Sequence, residues 1–306
     1  MNFTPPVQEE NNAYLQLLII AGYALIGLII GSVLSLAVLL GMYGMGVFHN
    51  TEALTGGDPA FAAGLKISQL LTTIFTFIAP PVLLARGERT RLDRFYNFKK
   101  PEFSLLLLVF IFMVCSMPVM EWIALANQKM SFPGFLKPIE NWMKGKEDEA
   151  MKMTLLLLTI HNLGDFLVNI FIIALLPGVA EELLFRGAVQ RSFYRMFNNP
   201  HVAIWASAFI FSAIHVQFFG FFPRMFLGAA FGYIYLWTGS LWYAMFAHFL
   251  NNGYAVCQAW YLQAHHIPLT EADNSSNFPW YGYVISLILS IFLLKYLKDK
   301  TTQRNG

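Results

Sequence analysis

The stretch 14–42 reads YLQLLIIAGYALIGLIIGSVLSLAVLLGM and contains no charged residue. A helix needs about 20 mostly apolar residues to cross the hydrocarbon core of a bilayer, and this run exceeds that. A cleavable leader carries a basic segment ahead of a shorter apolar core. Residues 1–12, MNFTPPVQEENN, are not basic, so the stretch is read as a retained membrane span. Seven further apolar segments follow, at 65–86, 103–126, 159–184, 201–218, 219–238, 240–262 and 280–297. The pattern predicts an all-α polytopic bundle of about eight transmembrane helices. Only helices and closed barrels satisfy every backbone polar group inside lipid. Composition agrees. Hydrophobic residues make up 57% of the 306 and charged residues 12%, against about 25% charged in soluble domains. A net charge of +2 suggests no nucleic-acid partner. Cys115 and Cys257 lie in apolar segments and form no CxxC, so neither a disulfide framework nor a thiolate metal site is indicated.

The loop Arg86–Glu102, the stretch after the fourth span and the C-terminal tail hold thirteen of the Lys and Arg residues. The opposite loops hold seven, including Lys66, Arg224 and five within 128–153. The positive-inside rule then places both termini in the cytoplasm, of a bacterial inner membrane by expectation. The chain divides into membrane spans without an assigned role at 1–153, a core at 154–262, and an outer loop, last span and basic tail at 263–306.

Ionisable groups inside spans cost about 2.5–3.5 kcal/mol each on insertion scales, so they call for a reason. Three segments of the core hold a cluster of them. In GVAEELLFRG (178–187), Glu182 and Arg186 are four apart, share a helix face and can pair. Glu181 points about 100° away with its carboxylate free. Pro177, just upstream, removes a backbone donor. In FIFSAIH (209–215), Phe211 and His215 are four apart, and in WYAMFAHFLNN (242–252) so are His248 and Asn252. Taken singly, each has an ordinary reading: a salt bridge at a helix end, a packed imidazole, or amide glue between helices. Taken together, Glu181, His215, His248 and Asn252 are what a hydrolytic site needs. A desolvated carboxylate is a candidate general base on water. Imidazole and amide groups hold that water or stabilise an oxyanion. Glu121, His161 and Asp165 are read as structural, and His265 and His266 as exposed loop residues.

The series Glu181-Glu182-x-x-x-Arg186, Phe211-x-x-x-His215 and His248-x-x-x-Asn252 resembles the three motifs of the CPBP intramembrane proteases, also called the Abi family. These are relatives of the eukaryotic CAAX prenyl endopeptidase and of bacteriocin self-immunity proteins. Gly239-Ser240-Leu241-Trp242 and the small residues Gly228 to Gly232 also resemble that family. The likeness covers about residues 155–255. It implies an intramembrane endopeptidase in which Glu181 is the general base and Glu182 is held by Arg186. His215 would help bind and activate water, and His248 and Asn252 would bind metal or form the oxyanion hole. Phe211 would be structural support. The resemblance leaves the cofactor open. Glu181, His215 and His248 could hold zinc or another divalent metal with a place left for water. The same family has also been treated as metal-independent glutamate proteases. It implies a peptide or membrane-protein substrate, lipidated in the family's best-known case, reached from within the bilayer. The alternative is a catalytically silent scaffold or self-immunity protein with the same fold. The HExxH of site-2 proteases, the GxSG of rhomboids and the paired aspartates of presenilins do not occur.

Overall fold

The computed structural model describes residues 10–49, 58–269 and 278–305, and the described residues are helices and the turns that join them. The principal helices are α1 (Ala13–Tyr43), α2 (Pro59–Gly87), α3 (Phe103–Gln128), α4 (Lys137–Leu157), α5 (Leu163–Phe197), α6 (Pro200–Ala213), α7 (Phe218–Thr238), α8 (Leu241–Ala264) and α9 (Trp280–Asn305). The chain is a polytopic helical membrane bundle. Helices stand at all eight expected positions, but only six are long and apolar enough to cross a bilayer: α1, α2, α3, α5, α7 and α9. Among the described residues the expected count of eight is therefore not confirmed at two positions. The 14 residues of α6 reach about 21 Å, against about 30 Å of hydrocarbon. Helix α8 has the length, but His248, Asn251, Asn252, Gln258 and Gln263 lower its hydropathy.

Local sequence fixes several helix ends. Asn12 Oδ1 accepts from Leu15 N at 2.8 Å and caps α1. Asn198 closes α5 in the left-handed region (φ 49), and Asn199 then caps α6 by accepting from the His201 and Val202 amides. Between α7 and α8, Gly239 takes φ 63, a conformation that favours glycine.

Prolines inside the helices strand backbone groups, and neighbouring helices satisfy them. Near Pro118 in α3, Val119 N donates to Ser286 Oγ of α9 at 3.0 Å. The Ser286 hydroxyl donates on to Cys115 O at 2.6 Å and so bridges the broken rung. Helix α2 carries a π-helical turn over Ile74–Ile78, just ahead of Pro80 and Pro81. That turn pushes Phe75 O against Gly27 of α1 so closely that a Cβ there would collide with it. Small residues at such crossings let helix backbones meet in the absence of a hydrophobic drive.

One hydrophobic core runs from Ile20 through Leu105 and Ala244 to Leu297, and so joins all three sequence divisions. At the end of the bundle that carries the Arg86–Glu102 loop, Ser240 Oγ donates to Lys99 O (2.7 Å) and Tyr243 OH bonds Glu102 N (2.7 Å). The N-terminal strap is held there too. Glu10 accepts from Arg191 Nη2 at 2.7 Å and lies 3.0 Å from Arg195, while Asn11 and Gln16 bond Glu88. Burial raises the Glu10 carboxyl, but the hydrogen bond and charge of Arg191, with Arg195, outweigh it and hold the group below its usual range. Helix α4 lies against the α6–α7 turn, where Glu147 Oε2 accepts from Phe219 N at 3.4 Å.

Candidate active site

Helix α5 is not uniformly α-helical. A single α-helical stretch, Leu176–Glu182, sits between π-helical turns at Ile170–Leu175 and Leu183–Gln190. Such π turns are common where a helix must aim side chains at a site. Glu181 and Glu182 end this stretch.

Glu182 is fully buried, and its Oε1 takes two partners. Arg186 Nη1 donates to it at 2.7 Å, and His248 Nδ1 donates to it at 2.8 Å. Its second oxygen, Oε2, is buried without a hydrogen-bond partner. Arg186 is equally buried. Its Nη2 donates to Gly228 O of α7 at 2.9 Å, and its guanidinium lies over the rings of Phe211 (4.6 Å) and Phe231 (5.5 Å). Any Cβ at Gly228 would crowd Arg186 and Phe211, so the glycine gives the guanidinium its room. One turn further along, Gln190 Nε2 donates to Gly232 O at 3.3 Å. Glu182, Arg186 and Gln190 thus form one polar stripe, and two glycines four residues apart receive it.

The bond to Glu182 orients His248 and places the proton on Nδ1, an assignment that follows from the hydrogen-bond network. The His248 ring stacks on Phe231 (5.4 Å, 28°), and Phe211 meets it edge-on at 5.9 Å. Its Nε2 points toward Glu181 Oε2 at 3.8 Å. That distance is beyond a direct hydrogen bond. The Glu181 side chain keeps 14% exposure where Glu182 has none, so it is the reachable carboxylate of the pair.

His215 lies just past the end of α6, beside Val216 in the left-handed region. Its Nδ1 donates to Phe211 O at 2.8 Å, which leaves Nε2 with its lone pair free. The Phe211 ring therefore contacts both imidazoles, His215 at 5.2 Å and His248 at 5.9 Å. No hydrogen bond among the described residues joins His215 to Glu181 or His248.

Asn252 is one turn beyond His248. Pro177 has no N–H to give to the carbonyl four residues back, Ile173 O, and Asn252 Nδ2 donates to that carbonyl at 3.1 Å. Its Oδ1 accepts from Asn251 at 3.2 Å. One amide hydrogen of Asn252 remains for another acceptor. Asn252→Ala should therefore strand Ile173 O and cost about 1–3 kcal/mol of stability, read as a lower melting point of the solubilised protein. Melting with the wild type would show that the clamp carries no weight.

Among the described residues no group of three or more His, Cys, Asp or Glu side chains is placed to hold a metal ion, so Glu181, His215 and His248 as placed do not fit one. Away from the site, Asp165 accepts from the His161 amide at 2.9 Å near the start of α5, and Glu121 lines a 630 Å³ cavity between α3 and α8. The sequence reading missed the Glu182–His248 bond, the Gln190–Gly232 bond and the buried Asn169. The place of Gln190 four residues after Arg186 was a usable signal. The other two depend on how helices are rotated against one another.

Residues 163–254 match the family model of Rce1-like proteins, described as type II CAAX prenyl endopeptidase Rce1-like. The uncharacterized protein YpbD of Bacillus subtilis (strain 168) is 32% identical over 94 residues, which cover 29% of this chain and 45% of that protein. The chain thus spans less than half the length of this curated relative. No solved structure matches. The matched stretch contains every residue of the three motifs, and over that length the chain is similar to the Rce1-like family.

Proposed function

We propose that the chain is an intramembrane endopeptidase that hydrolyses a peptide bond with water activated by Glu181. The observation that carries this reading is His248 set between two unlike carboxylates. Glu182 is buried, bound to Arg186 and fixed on Nδ1; Glu181 is reachable and faces Nε2. This is the arrangement of an oriented base beside a catalytic group. A neutral imidazole and an ionised Glu181 would set two lone pairs 3.8 Å apart. A proton, or a water giving a hydrogen to each, resolves the conflict.

In this mechanism the water sits between Glu181 Oε2 and His248 Nε2. Glu181 takes its proton as oxygen attacks the scissile carbonyl. The lone pair on His248 Nε2 accepts the water's second hydrogen and orients it, while His215 lies across the Phe211 ring from His248. The remaining amide hydrogen of Asn252 is the donor for the oxyanion. Glu181 then returns the proton to the leaving amine. The aromatic walls, Phe211 and Phe231, keep the local dielectric low, which strengthens each of these contacts.

The substrate is a peptide segment reached from the bilayer. The test compares new peptide termini in membranes of cells expressing wild type or Glu181→Ala at equal levels. Termini present with wild type and lost in the variant support the reading. Identical termini, with both proteins folded and abundant, would replace it by a non-catalytic scaffold that keeps the same polar cluster.

A further inference from the structure

Arg224 is a half-buried cation whose polar contacts are made with Gln217, a neutral residue. Its Nη2 donates to Gln217 Oε1 at 2.7 Å and its Nη1 reaches Gln217 O at 3.5 Å. No carboxylate among the described residues lies within ion-pair distance of it. Glu147 and Glu181 act on it through space, and its own charge acts on both Glu181 and His215. A desolvated guanidinium with no carboxylate in contact is costly, and such groups are normally paired. Its place in the fold is also particular. Arg224 precedes Gly228 by four residues and so shares the face of α7 that receives Arg186 and Phe211. Gly220 packs so close to the guanidinium that a Cβ there would stand 3.1 Å from Nη2, and a larger side chain would cover it. Gln217, which aims the group, lies two residues beyond His215.

We propose that Arg224 is a specificity-determining residue that pairs with a carboxylate carried by the substrate close to the scissile bond. This rests on the proteolytic reading above. A planar guanidinium offers a two-pronged set of donors matched to a carboxylate. The carboxylate is either an Asp or Glu side chain or a free chain terminus. The Gln217 bonds leave other guanidinium hydrogens for it.

The test has two stages. Termini are mapped in cells expressing wild type, Glu181→Ala, Arg224→Gln and Arg224→Lys at equal membrane levels. Synthetic peptides spanning the most frequent Glu181-dependent cut are then offered to the purified protein in phosphatidylcholine vesicles. The peptides come in three forms: native, with Asn or Gln in place of nearby Asp or Glu, and with the C-terminal carboxylate amidated. Wild type should prefer the form with the recognised carboxylate about 10- to 100-fold in kcat/KM. The form whose neutralisation loses that preference identifies the source. In Arg224→Gln the ratio should fall to about one, and Arg224→Lys should keep part of it. If Arg224 merely braces the α6–α7 turn through Gln217, the variant slows all three peptides alike and leaves the ratio unchanged. That result overturns the inference and spares the proteolytic reading. An absence of Glu181-dependent termini overturns both.

Discussion

Replacing Glu181 by Gln should lower turnover about 10²- to 10⁴-fold while the protein keeps its fold, the range expected for loss of a general base. The fold should survive because Glu181 holds nothing in place. Its close ionic neighbour is His248 Nε2 at 3.8 Å, beyond hydrogen-bond reach, and the substitution keeps size and shape. The loss should fall on kcat, since a carboxylate that takes a proton during attack acts in the transition state rather than in substrate binding. The wild-type rate should persist in a chelator, because Glu181, His215 and His248 as placed do not converge into a ligand set. The measurements are single-turnover cleavage and thermal melting of the purified protein. Wild-type cleavage by Glu181→Gln would move the base to another group. Loss of wild-type activity in the chelator, restored by zinc, would return the metal to the mechanism.

Arg186→Met should have the largest effect on stability, about 3–5 kcal/mol. It removes the guanidinium that neutralises Glu182, a side chain with no solvent access. It also removes the donor to Gly228 O that ties α5 to α7, and a cation from between Phe211 and Phe231. Glu182 would then retain His248 as its partner, with Oε2 already unbonded. The double variant Arg186→Met with Glu182→Leu should recover much of the loss, because it leaves no buried charge uncompensated, and should remain inactive because His248 loses its orienting partner. The coupling between the two changes is read by a double-mutant cycle on unfolding free energy. Additive effects of the two substitutions would show that the pair does not act as a unit.

The Glu182–Arg186 pairing was legible in the sequence, because a spacing of four residues fixes a shared helix face whatever the rest of the chain does. The same rule set Phe211 beside His215, where the structure finds the imidazole bonded to the phenylalanine's own carbonyl. Pro177 announced a stranded carbonyl but not its partner. Asn252 was read both as amide glue between helices and as a site residue, and its amide closes the gap that Pro177 opens. Helix α6 is short and ends before His215, and Phe211, four residues earlier, brings the two imidazoles to either side of its ring.

By itself, the sequence determined a helical membrane bundle, the position of its apolar segments and the motif residues that share a helix face. These follow from chain-local quantities: runs of apolar side chains measured against bilayer thickness, and the 100° step of the helix. Only the tertiary structure decided that His248 donates to Glu182, that Asn252 reaches across to α5, that Ser286 mends the Pro118 break, and that residues from Ile20 to Met113 join the same core. Each of these depends on the rotation and depth of one helix against another. Helix packing sets those quantities through glycine contacts and buried hydrogen bonds, and neither is written in the period of a single segment.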